Sequence, residues 1–190
     1  MIKLIATDID GTLVKDGTLI IDPEYMTVIS KLIDKGIIFT VCSGRQFSSE
    51  QKLFAPIKDK LMYITDGGTV VRTPDRILKT YPMSNELWKD MCRMVRDELP
   101  ACDYFAANPD LCYAEDGASP IFHRLRDSYG FEMREIDDLT KLENDDIIKF
   151  TVYHPDSCEE SAHRTSYLHG KTKLMSHPPE KNGLTVIAAA

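Results

Sequence analysis

Apolar and polar positions follow a clear order over the first 65 residues. Residues 2–7 (IKLIAT) are a short apolar run and predict a buried strand. In the stretch LVKDGTLI, Asp16-Gly17 stands between apolar β-formers, which predicts a hairpin. The next segment, DPEYMTVISKLIDKG, predicts a helix. Asp22 suits the N-cap, Pro23 the first helical position and Gly36 the C-terminal cap. Tyr25, Val28, Ile29, Leu32 and Ile33 recur at helical spacing and predict its inward face. Residues 37–43 (IIFTVCS) are continuously apolar, as in a strand that a parallel sheet buries on both faces. Residues 46–54 predict a short helix and 61–65 (LMYIT) a third strand. Strand, helix, strand, helix, strand in that order predicts a doubly wound parallel α/β sheet with right-handed crossovers.

The pattern changes near residue 80. SNELWKDMCRMVRDEL predicts an amphipathic helix with Leu87, Met91, Met94, Val95 and Leu99 inward, and with Trp88 in a core or interface. CDYFAA and LCYAE flank Asn108-Pro109-Asp110 and predict a hairpin. PIFHRLRDSYG (helix), FEMREI (strand), DDLTKL (short helix) and IIKFTVYH (strand) follow, then a weaker helix in SCEESAHRTSYL. TKLMSH and GLTVIAA predict a last hairpin. The expected organisation is an α/β domain over 1–80 and an α+β domain with a mainly antiparallel sheet over 81–190.

Charge sharpens that boundary. Residues 1–80 carry 11 Lys and Arg against 10 Asp and Glu, whereas 81–190 carry 12 against 20. No basic stripe appears, which argues against nucleic acid and anionic membranes as partners. No run of 18 apolar residues predicts a membrane span, and the N-terminus enters a strand without a signal-peptide pattern. Five scattered cysteines with no metal-ligand spacing read as reduced thiols, and so as a cytoplasmic protein. The five histidines, all in the second half, also lack ligand spacing.

The chemistry concentrates in LIATDIDGTLV. In an open parallel sheet, ligands bind beyond the carboxyl ends of the strands. Asp8 and Asp10 lie beyond the first strand, Ser43, Gly44 and Arg45 beyond the second, and Asp66 beyond the third. Residues two apart in an extended segment point the same way, so Asp8 and Asp10 address one ligand. Two neighbouring carboxylates repel unless a hard cation lies between them, and Mg²⁺ favours one or two carboxylates with phosphate oxygens. Gly11 and Thr12 predict a tight turn with exposed N–H groups suited to a phosphate, and Ser43, Gly44 and Arg45 are placed to bind the same phosphate. Asp66 reads as a turn residue.

DIDGTLV resembles the first motif, DxDGT, of the haloacid-dehalogenase (HAD) superfamily, and VCSGR resembles its second. The layout of 81–190 is similar to the αβ cap of the Cof-type phosphatase branch. The resemblance implies an α/β fold: a partial doubly wound, Rossmann-like HAD core with an inserted α+β cap that closes over the site and selects the substrate. It implies a Mg²⁺-dependent phosphohydrolase acting on a small phosphorylated metabolite. Asp8 would be the nucleophile that becomes an aspartyl phosphate, and Asp10 the general acid and base. The Asp8 carboxylate and Asp10 backbone carbonyl would hold the metal, and Ser43 the transferring group. A phosphomutase of the same superfamily and a non-catalytic phosphate-binding remnant are the alternatives.

Family members carry a later lysine and a GDxxND-like acidic segment, and neither follows here. Lys171 and Lys173 fall in the cap pattern. The chain therefore reads as part of the core plus an entire cap, with weak metal binding and little turnover by itself. An open edge on the first strand would follow, and a second copy of the chain is one way to cover it.

Overall fold

The computed structural model describes residues 2–15, 18–143 and 146–154, and the backbone of 172–176 and 183–188. The chain divides into two compact units, Met1–Thr80 with Arg126–Glu132, and Tyr81–Leu125 with Met133–Ala190.

The first unit is a five-stranded sheet in the order β1(Leu4–Thr7), β2(Ile38–Cys42), β3(Met62–Thr65), β4(Val70–Arg72), β5(Ile77–Thr80). β1, β2 and β3 are parallel, and β4 and β5 turn back antiparallel. The crossover from β1 to β2 carries α1(Pro23–Asp34), whose N-cap Asp22 accepts the Glu24 N–H at 2.8 Å. Gly36 follows with φ +80°, as a left-handed helix exit requires. The second crossover carries α2(Phe47–Leu53). The core gathers Ile9, Val14, Ile29, Phe39, Val41, Phe47, Leu53, Phe54 and Tyr63.

Two expectations change here. Met26, Ile29, Leu32 and Ile33 form the inward face of α1, while Tyr25 and Val28 are exposed. The apolar stripe is wider than the surface the sheet offers it. The β4–β5 hairpin was not foreseen, because its strands are short; its signal is Thr73-Pro74-Asp75-Arg76, a turn closed by Thr73 N–H to Arg76 O at 2.9 Å. Asp16-Gly17, the expected hairpin turn, lies outside the described residues. β1 is an edge strand whose Leu4 is 54% exposed, beside its register partner Ile38 at 52%.

The second unit is a six-stranded sheet. Its order is β10(Thr172–Ser176), β11(Gly183–Ala188), β9(Lys149–Tyr153), β6(Asp103–Ala107), β7(Cys112–Ala114), β8(Met133–Glu135). Every pairing is antiparallel except β7 with β8. α3(Asn85–Glu98), capped by Ser84, buries Trp88, Met91, Cys92 and Val95 against Ala106, Tyr113, Phe150 and Val152. On the opposite phase of the strands, Phe105, Ala107, Cys112 and Ala114 pack with Ile121 and Phe122 of α4(Pro120–His123). This is the period-two alternation of a sheet covered on both faces. The helix expected over PIFHRLRDSYG continues past α4 as a π-helical turn, Arg124–Ser128. The helix expected in SCEESAHRTSYL lies outside the described residues.

The unit also holds a clustered ion network. Arg96 on α3 pairs with Glu115 and, at 2.5 Å, with Asp138, and its Nε donates to the Tyr104 hydroxyl at 2.9 Å. Tyr104 in turn donates to Glu115. One guanidinium thus ties α3, β6 and the loops after β7 and β8.

Candidate active site

The carboxyl ends of β1, β2 and β3 are stitched together by hydrogen bonds. Beyond β1 the chain folds into a turn centred on Ile9, which is fully buried and whose carbonyl accepts from Thr12, Leu13 and Val14. The Gly11 N–H donates to Val14 O at 2.9 Å. These bonds correct the expectation that Gly11 and Thr12 present their N–H groups to a phosphate: both N–H groups close the turn itself. Gly11 has φ +75°, which explains the glycine. The turn leaves Asp8 exposed, with Oδ1 accepting the Ile9 N–H at 2.8 Å, and Asp10 partly buried.

Beyond β2, Ser43 is buried at 8% exposure, and its Oγ accepts the Arg45 N–H at 3.1 Å. An accepting hydroxyl keeps its own proton to donate. The Arg45 carbonyl accepts from Asp66 N at 2.9 Å, and the Ser43 carbonyl from Gly67 N at 3.0 Å. Asp66, Gly67 and Gly68 all have positive φ (53°, 74° and 97°), so the loop beyond β3 is a tight left-handed turn. Thr65 and Thr69 hydroxyls donate to the side chain and carbonyl of Asp66.

Arg45 has a different partner from the expected phosphate. Its side chain is 3% exposed, and Nη2 and Nε donate to the two Asp10 carboxylate oxygens at 2.6 and 2.8 Å. Nη2 also reaches Thr18 O at 2.9 Å, Nη1 reaches Ser49 Oγ at 3.4 Å, and the guanidinium lies 5.2 Å from the Tyr129 ring centre. A fork of this kind matches a carboxylate bidentately. Sequence reasoning placed Asp10 and Arg45 at neighbouring strand ends, but nothing in the spacing showed that they pair.

Cys42, at the end of β2, has its thiol pushed up by burial and by the negative charges of Glu50 and Asp8, which favours the protonated form. Among the described residues no cluster of three or more His, Cys, Asp or Glu could hold a metal. The donors near the turn are hard oxygens, the Asp8 carboxylate and the Asp10 backbone carbonyl. That donor set fits Mg²⁺, which takes one or two carboxylates and fills its remaining positions with water and phosphate. Among the described residues no helix is long and apolar enough to cross a membrane.

The family profile of the haloacid dehalogenase-like hydrolases matches residues 5–177. A solved structure from Eubacterium rectale is 70% identical, with a TM-score of 0.87 over all of this chain and 71% of its own. The 5-amino-6-(5-phospho-D-ribitylamino)uracil phosphatase YbjI of Escherichia coli is 26% identical over 147 residues, 75% of this chain and 52% of its own. The phosphatase of the same name from Bacillus subtilis, YwtE, is 32% identical over 87 residues, 46% of this chain and 30% of its own. The chain thus spans about half the length of the first curated relative and under a third of the second. Motif, sheet order and profile agree, and the chain belongs to the haloacid dehalogenase-like hydrolases.

Proposed function

We propose that the strand-end site serves hydrolysis of a phosphate monoester, with Asp8 as nucleophile and Asp10 as acid and base. The observation that carries this reading is the pairing of an exposed carboxylate with a held one, two residues apart on one turn. Asp8 is free to approach a ligand from solvent, while Asp10 is fixed by the Arg45 fork.

In the first step an Asp8 carboxylate oxygen bonds to phosphorus and the ester P–O bond breaks. For this step Asp10 must give up the Arg45 fork and carry a proton taken from solvent, which it passes to the departing alkoxide; the alkoxide leaves as an alcohol. In the second step water attacks phosphorus. Asp10 takes the water's proton, phosphate departs and the Asp8 carboxylate is regenerated. Ser43 Oγ–H donates to the transferring phosphoryl oxygens, with the Thr12 side chain and the Gly44 backbone beside them. Mg²⁺, held by the Asp8 carboxylate and Asp10 carbonyl, would supply neutralising charge.

The names of the two curated relatives support a phosphate on a small sugar-like or polyol alcohol as substrate. The test is hydrolysis of p-nitrophenyl phosphate and a panel of sugar and polyol phosphates with Mg²⁺. It uses this chain and a chimera that adds the unmatched part of the Eubacterium rectale relative. The chimera is expected to turn over, and Asp8→Asn in the chimera to abolish turnover. Near-equal turnover of Asp8→Asn and the parent chimera would overturn the reading.

A further inference from the structure

Gln46 follows Arg45 directly and is 1% exposed, although its carboxamide caps nothing in α2. Its partner lies 86 positions away. Gln46 Oε1 accepts the Glu132 N–H at 2.7 Å, and Gln46 Nε2 reaches the Glu132 carbonyl at 3.4 Å. The Ser48 hydroxyl bridges the same pair, 2.7 Å from Gln46 Oε1 and 3.2 Å from the Glu132 N–H. Lys52 Nζ adds 2.8 Å bonds to Gly130 O and Glu132 Oε1. Gly130 has φ +72°, and a Cβ there would lie 2.9 Å from Lys52 Cδ and 3.2 Å from Leu19 Cδ1.

Side chains of residues 46–52 therefore seat the segment Arg126–Glu132 in the first unit, without a strand ladder. A consequence lies three residues back from Glu132. Tyr129, edge-on to Phe131, is placed over the Arg45 guanidinium, the same group that forks onto Asp10. A cation on an aromatic face is partly desolvated, and desolvation strengthens its pairing with a carboxylate. Arg45 and Gln46 are consecutive, so the fork and the clamp hang from adjacent backbone positions.

We propose that Gln46 is a positioning residue: by clamping the Glu132 backbone it seats Tyr129 over Arg45 and so fixes the Arg45–Asp10 pair. Its meaning for catalysis rests on the proposed role of Asp10. The contacts themselves do not, so the test uses no metal, substrate or turnover, and an inactive chain still answers it.

The experiment is hydrogen exchange by ¹⁵N NMR on the 190-residue chain, following the Glu132 amide and the Arg45 Nε–H, with β3 amides as a global control. In Gln46→Ala both the Glu132 amide and the Arg45 Nε–H are expected to exchange about tenfold faster while β3 is unchanged. In Tyr129→Leu only the Arg45 Nε–H is expected to speed up, because the clamp stays intact. Acceleration of Glu132 alone in Gln46→Ala would reduce the clamp to a loop fastener and overturn the proposal. If Gln46→Ala does not fold, Tyr129→Leu decides: an unchanged Arg45 Nε–H there overturns it as well.

Discussion

Arg45 donates to both carboxylate oxygens of Asp10 across two strand ends, Nη2 to Oδ1 at 2.6 Å and Nε to Oδ2 at 2.8 Å. The arginine is buried and the aspartate a quarter exposed, so removal of either partner strands a charge in a poorly solvated place. Arg45→Ala is expected to lower the unfolding free energy of this chain by roughly 3 kcal/mol, the low end for a buried pair because Asp10 keeps some water. Arg45→Lys should recover less than half of that, since an ammonium cannot supply the fork. Urea unfolding monitored by far-UV circular dichroism checks both.

Magnesium binding by the chain alone is expected to be weak. One carboxylate and one carbonyl leave most of a six-coordinate shell to water. Calorimetry should give a dissociation constant on the order of millimolar or weaker. A micromolar site lost in Asp8→Ala would show that other carboxylates complete it.

The Arg96 network sets an acid limit on the second unit. Hydrogen bonds from Arg96, then from Thr140, hold the Asp138 carboxyl well below the usual carboxylate range. A depressed folded value means that the stabilisation is complete above the unfolded value near ~4 and is lost as pH falls below it. Asp138→Asn should therefore destabilise the chain most at pH 7 and somewhat less at pH 3, where part of the stabilisation is already lost. Urea midpoints measured at both values check the sign; an equal loss at both would contradict the linkage.

Thiol chemistry should separate the cysteines. Burial, with Glu115 nearby, pushes the Cys92 thiol up to about 12. Cys92 should resist a maleimide at pH 7 in the folded chain and react once urea unfolds it. Cys42, partly buried and also shifted upward, should label slowly. Peptide mapping after timed labelling resolves the two sites.

Much of the frame was legible in the sequence because it rests on local signals. Asp22, Pro23 and Gly36 bound α1, and Ser84 caps α3 by accepting the Leu87 N–H. Asn108 turns the β6–β7 hairpin by accepting from Asp110 and Leu111. Positions that depend on partners distant in the chain were not legible. Tyr25 and Val28 fit a helical stripe, yet are exposed because the sheet reaches only the Met26–Ile29–Ile33 side. Gly11 and Thr12 look like a phosphate turn, but their N–H groups are consumed by Val14 and Ile9. After Ser43-Gly44, Arg45 reads as a phosphate ligand and Gln46 as the start of a short helix. Only the fold shows that one holds Asp10, 35 positions away, and the other Glu132.

In the proposed reaction Asp8 takes the phosphoryl group. An acyl phosphate is reduced by borohydride to the alcohol, which would convert residue 8 into homoserine. The measurement is to quench the chimera with borohydride during turnover of p-nitrophenyl phosphate, digest it and sequence the N-terminal peptide by mass spectrometry. Homoserine is expected at residue 8, dependent on substrate and absent without Mg²⁺. Steady turnover with residue 8 recovered only as aspartate, or with the reduced residue found elsewhere, would contradict it.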